Sequence, residues 1–207
     1  MPAFQHPNPE HAMRDVHRFG LMTFTAIGAA LMTPAAGESQ GQPAAAARPA
    51  VVDALMRDIA QLEEKLLSLA DAIPEESFDW RPAEGVRSVN EVMVHVAADN
   101  WFLPTIAGVA APAETGIKAG DYPSVQAYEA RKMSKAEALE ATRVSFAHLR
   151  TAMEAADDAA LARKMNVFGN EMSGTDLWVI TATHLHEHLG QLIAYARSNG
   201  VVPPWSR

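Results

Sequence analysis

The sequence predicts an all-α protein: a four-helix bundle preceded by a signal peptide and a flexible segment. Three observations carry that prediction. Four segments repeat apolar side chains at helical spacing, each about 20 residues long. Two of their starts read Ser-x-x-Glu, the pattern of a capping box. Strand-like alternation is nearly absent, and the connecting stretches carry Pro and Gly. Helices of this length joined by short or moderate loops pack most economically as a bundle.

The first helix is expected from about Asp53 to Ala72, with Leu55, Ile59, Leu62, Leu66 and Leu69 along one face and Pro74 as its stop. The second starts at Ser88-Val-Asn-Glu91, where the Ser hydroxyl and the Glu carboxylate satisfy each other's free backbone amides. It continues through Val92, His95, Val96 and Asp99 toward Phe102, and Pro104 is expected to kink or end it. Residues 108–123 read as a loop, with a short helical piece near Ser124–Arg131. A third helix from Ser134, again capped by a Glu three residues on, runs to about Ala156 and buries Leu139, Phe146, Leu149 and Met153. Residues 165–174 read as extended or turn-like. Thr175 or Asp176 is expected to cap a fourth helix reaching about Ser198, where Gly200 suits a left-handed stop and Pro203-Pro204 prevents continuation.

The first 47 residues are of another kind. Arg14 and Arg18 precede an apolar run from Phe19 to Met32, and a small-residue stretch follows. A basic region, an apolar region and a small-residue region in that order form the signal-peptide pattern, and the run is short for a membrane span. Met13 is a candidate start, and cleavage is expected between Ala36 and Ala47, leaving an exported mature chain, periplasmic or secreted. His6, His11 and His17 fall in the discarded segment and receive no role. The 207 residues suffice for one well-buried domain, and 48% hydrophobic with 20% charged residues argues against overall disorder. A net charge of −8 without a basic stripe disfavours nucleic-acid binding, which requires phosphate neutralisation. No membrane span is expected in the mature chain. With no cysteine, any transition-metal site must use His and carboxylate.

The chemistry concentrates in THLHEHLGQ, residues 183–191. His184 and His188 are four apart and share a helix face, whereas His186 points elsewhere. Three readings of the pair compete. His184-x-x-Glu187-His188 spells the inverted zinc-peptidase motif, but that mechanism needs a further downstream ligand, and only His188 follows Glu187 among Asp, Glu and His. A second reading takes a third ligand from another helix of the bundle. His95, among Val92, Val96 and Asp99 on an apolar helix, suits that place better than His148, which lies beside the third helix's apolar stripe. A third reading has no metal and two packed, hydrogen-bonded histidines.

Two separated stretches, FDWRPAEGVRSVNEVMVHVA (78–97) and THLHEHLGQLIAYARSNGVVPPW (183–205), resemble the DinB-like superfamily of helical bundles. The first is similar to its Trp-Arg-Pro, Gly, Arg-Ser lead into a histidine-bearing helix. The second is similar to its H-x-x-x-H-x-G-Q helix with a following Gly and Pro pair. The resemblance covers roughly residues 51–205. It implies a metal triad at His95, His184 and His188, with at least one position open to water or substrate. The expected ion is divalent, zinc by default, with nickel, iron and copper also suited to imidazole.

An open three-histidine site resembles catalytic metal chemistry more than structural metal binding. The resemblance therefore implies a metal-dependent hydrolase or transferase acting on a small molecule, with a non-catalytic metal-binding or stress-related bundle working through a partner or homodimer surface as the alternative. Asp99 and Glu187, the acidic residues nearest these histidines in sequence, are candidates for base or for orienting an imidazole. Gln191 and Tyr195 continue the His188 face. Trp80, Arg81 and Pro82 are expected to fix the loop before the second helix, Trp101 and Phe102 to be core, and Gly190 to permit close helix approach.

Overall fold

A computed structural model describes residues 47–206. The signal peptide and its cleavage region, read above in the segment preceding residue 47, lie outside the described residues. The helices are α1 (Ala50–Ala72), α2 (Val89–Ile106), α3 (Tyr122–Glu129), α4 (Lys135–Glu154), α5 (Asp158–Ala162) and α6 (Gly174–Ser198), with a hairpin of β1 (Lys164–Val167) and β2 (Asn170–Ser173) before the last. The strands pair antiparallel, Lys164 opposite Ser173 and Val167 opposite Asn170. The hairpin occupies the stretch read as extended or turn-like.

The four long helices form the bundle, but not in chain order. α2 packs against α4 and α6, and α1 packs against the same two. α1 and α2 therefore stand at diagonal corners, so the ring runs α1–α4–α2–α6. The connection from α2 to α4 includes α3, which packs onto α2. With neighbours on three sides, α2 is buried from Val92 through Ala98 without interruption. A helix apolar on all faces is one that has been covered on all faces.

Capping places the helix starts. Ser88 accepts from the Glu91 amide, and the Glu91 carboxylate accepts from the Ser88 amide at 2.7 Å. Ser134 and Glu137 repeat this at α4. At α6 the cap is Ser173, with Asp176 as its reciprocal partner, rather than Thr175 or Asp176. The shift has a local cause: the chain leaves β2 directly into the helix, so the last strand residue is the one in extended conformation with its hydroxyl free to accept. Pro104 lies inside the final turn of α2 and the helix continues to Ile106. Gly200, at φ 73°, is the left-handed stop beyond α6.

The expectation for Gly190 is corrected. It is exposed, and a Cβ there would meet nothing within 4 Å. The close approach occurs at Gly174, where a Cβ would stand 2.2 Å from the carbonyl oxygen of Ala160. That contact seats the start of α6 against α5. Phe146, Leu149 and Met153 of α4 meet Ile59, Leu62, Leu66 and Leu69 of α1 in a fully buried core. Each such side chain contributes about 1.5–3 kcal/mol on burial. Trp101 and Phe102 are core, as expected, while Leu55 and Leu139 are only partly covered.

Candidate metal centre

α2 and α6 are adjacent in the ring, and each presents two polar side chains one turn apart toward the other. From α2 come His95 and Asp99; from α6 come His184 and His188. One ring nitrogen from each histidine lies within 4.8 Å of the others. Nε2 of His184 and Nε2 of His188 are 3.2 Å apart. The Asp99 Oδ2 sits 2.6 Å from His184 Nε2 and 3.3 Å from His95 Nε2. His95 and His188 are buried, at 7% and 8% exposure, whereas the His184 side chain keeps 27% and opens the cluster to solvent.

The outer ring nitrogens fix the tautomers. His95 Nδ1 lies 2.7 Å from Glu129 Oε1, and an ionised carboxylate can only accept, so this nitrogen carries the proton. His188 Nδ1 donates to Gln191 Oε1 at 2.9 Å, and Gln191 Nε2 donates to the Tyr195 hydroxyl at 2.8 Å. His188 then turns its Nε2 lone pair inward, and the inner nitrogen of His95 faces Asp99 Oδ2. Burial pushes His188 down to about 4, despite the Gln191 hydrogen bond, so at neutral pH it is uncharged. Its inward lone pair faces the Nε2 of His184 at 3.2 Å, with the His95 ring edge-on beside it.

Such a donor set suits a divalent cation. Tetrahedral ligation at about 2.0–2.1 Å requires neighbouring donors about 3.4 Å apart, close to the 3.2 Å between the His184 and His188 nitrogens, with His95 within 4.8 Å of both. A metal-bound histidine ordinarily donates its other nitrogen to a carboxylate, carbonyl or water, and two of these three rings donate to side-chain oxygens. His95, Asp99 and Glu129 also approach one another. In this second group Glu129 lies at Nδ1 and Asp99 at Nε2 of the His95 ring, so the two carboxylates address different nitrogens.

A sequence profile of the DinB superfamily matches residues 41–192. The chain belongs to the DinB superfamily. The fold agrees. YfiT from Bacillus subtilis, described as a probable metal-dependent hydrolase with an unusual four-helix bundle topology, is 16% identical with a TM-score of 0.58, covering 73% of this chain and 89% of YfiT. A member of the DinB family from Exiguobacterium sibiricum is 22% identical with a TM-score of 0.56, covering 74% of this chain and 95% of its own. A mycothiol-dependent maleylpyruvate isomerase is 12% identical with a TM-score of 0.54, covering 68% of this chain and 60% of its own. At these identities the likeness is one of fold. No curated protein matches the sequence.

The other singled-out residues of this DinB protein fall as follows. His186 points away and pairs with Asp58 at 2.8 Å, half-exposed. His148 stays apart from the cluster, its ring against Trp101 and its imidazole held below the usual range by burial. Glu187 is 78% exposed, 4.0 Å from the outer nitrogen of His184. Arg81 donates to the Val86 carbonyl and to Glu91, bracing the α2 capping box. The Trp80 ring packs edge-on against Tyr195 at 5.4 Å, so the two motif stretches touch.

Glu129 was missed. It is held by His95 and by Arg87, whose Nη2 lies 3.2 Å from its other oxygen. The His95 hydrogen bond, against a cost from burial, keeps its carboxyl below the ordinary range. Nothing local marks it: it is 34 residues from its partner, on the short helix α3.

Proposed function

We propose that this protein is a divalent-metal-dependent enzyme, a hydrolase or transferase acting on a small molecule, its ion held by His95, His184 and His188. The observation that carries this reading is the set of three converging ring nitrogens, with two rings fixed by side chains behind them. Zinc is the ion this donor set suits by default. A divalent ion bound there supplies Lewis acidity. The remaining work falls to the chain itself. The outer nitrogens of His95 and His188 are held by Glu129 and Gln191, and the exposed edge of His184 admits a ligand from solvent. Asp99 accepts a proton at Oδ2, the carboxylate oxygen beside the converging nitrogens. Glu187, more exposed and on the outer side, is the weaker candidate for that role. YfiT's description as a probable metal-dependent hydrolase and the isomerase's dependence on mycothiol support metal or thiol chemistry on this fold, and neither narrows the substrate.

One observation favours a second reading. Asp99 Oδ2 lies against two of the three nitrogens, 3.3 Å from His95 Nε2 and at hydrogen-bond distance, 2.6 Å, from His184 Nε2, so a small shift of the carboxylate would make it a further ligand and close the sphere. The protein is then a non-catalytic metal-binding bundle that acts through a partner or a second copy. Metal analysis of the purified protein and its His188→Ala variant, followed by hydrolase and transferase screening, tests the enzyme reading. Equal metal content in both proteins sinks the triad. Asp99→Asn separates the two readings: metal retained with turnover lost supports the enzyme, whereas metal lost supports the closed site.

We further propose that the mature chain is exported, supported by Arg14, Arg18 and the apolar run Phe19–Met32. N-terminal sequencing of protein recovered outside the cytoplasm should find a start within residues 37–48. A start at residue 1 or 13 counts against export.

A further inference from the structure

We propose that Glu129, braced by Arg87, is a positioning residue of this centre: it fixes the His95 ring and strengthens its inward nitrogen as a metal donor. The inference rests on the metal-binding reading above and extends it to a residue outside both motif stretches. Three observations support it. Glu129 ends α3, and α3 is anchored on α2 by buried Val125 and Tyr128, with the Trp101 indole directed at the Tyr128 hydroxyl at 3.4 Å. That docking delivers the carboxylate to the outer nitrogen of His95 at 2.7 Å, a short, charge-assisted contact. Arg87 holds the second oxygen at 3.2 Å from the turn just before the Ser88 cap, so the carboxylate is tethered at both oxygens. An unbraced glutamate at a helix end samples several rotamers; this one is held in the geometry that suits the ring.

The physical effect has two parts. A fixed ring loses less entropy when an ion binds, and an anion on Nδ1–H draws that proton outward and raises electron density at Nε2. Glutamine at position 129 keeps an acceptor without the charge, and alanine removes both. The two parts therefore separate by substitution.

The test is zinc affinity, measured by competition with a chromophoric chelator on metal-stripped full-length protein at fixed pH and ionic strength. Outer partners of this kind are worth about 10–100-fold in metal affinity. Glu129→Gln should bind zinc about tenfold more weakly than wild type, Glu129→Ala weaker again toward about a hundredfold, and Glu140→Gln, a carboxylate paired with Arg143 on the surface, unchanged. Values for both Glu129 variants within twofold of wild type overturn the inference. Histidine NMR of the metal-free wild type gives a second measurement that no folding defect can blur: it should find the proton of His95 on Nδ1, and a proton on Nε2 instead overturns the inference as well. A wild type that binds no zinc, or a His95→Ala variant that binds as tightly as wild type, brings down the metal reading itself. Normal triad dependence with indifferent Glu129 variants removes this inference alone.

Discussion

The two helices that meet at the candidate centre support their histidines by different means. On α6, His188 is steadied by its own helix: Gln191 three residues on and Tyr195 seven on, with Trp80 against the Tyr195 ring. Every hydrogen-bonding group in that relay is neutral. On α2, His95 is steadied by a carboxylate brought from α3 and braced by an arginine from the preceding turn. That relay is ionic and built from three separate segments. Local support follows from helical periodicity. Remote support follows from how α3 docks, and a change in docking removes it without touching either motif.

The contrast can be pressed first with acid, where the effect is largest. In the metal-free protein burial lowers the pKa of His188 to about 4, below the ordinary 6.5 of an unfolded chain. A buried histidine with a lowered value contributes its full stability above 6.5, and that contribution is lost as pH falls from 6.5 toward 4, because the unfolded chain takes up the proton first. The difference amounts to about 3 kcal/mol across that window. Urea unfolding of metal-free protein at several pH values should trace it, and His188→Gln should flatten the slope between pH 6.5 and 4. An unchanged slope in that variant means the neutral relay is not what titrates.

Gln191→Leu comes next. It removes the acceptor behind His188 and should weaken zinc binding by about tenfold. Raising ionic strength should narrow the gap between wild type and Glu129→Gln, whose relay includes the half-exposed Arg87, and leave the Gln191→Leu gap in place. Equal salt dependence of the two gaps would erase the distinction between the relays. The smallest effect is expected of Tyr195→Phe. It removes one partly buried hydrogen bond, lowers stability by about 1 kcal/mol in thermal or urea unfolding, and shifts zinc affinity by less than about threefold. A loss as large as that of Gln191→Leu would place the anchor of the α6 relay at the tyrosine.

Much of this was legible in the residues. The Ser88 and Ser134 caps, the stops at Gly200 and Pro74, and the pairing of His184 with His188 are interactions within a few positions, where chain geometry leaves few choices. Two expectations about α6 give way to tertiary neighbours. The cap of α6 moved to Ser173 because the hairpin feeds the helix without a loop, and the tight glycine is Gly174 because α5 lies against it, while Gly190 faces open space. Both depend on neighbours that periodicity does not reveal.

The sequence by itself determined the four long helices, the caps of α2 and α4, the stops after α1 and α6, and which side chains share a face, because backbone hydrogen bonding and 3.6-residue periodicity are settled within a turn or two. Only the tertiary structure decided that α2 lies beside α6 rather than beside α1, that Asp99 stands between two imidazoles, and that Glu129 reaches His95. Those are matters of which apolar faces bury one another, and burial energy is non-directional and indifferent to separation along the chain.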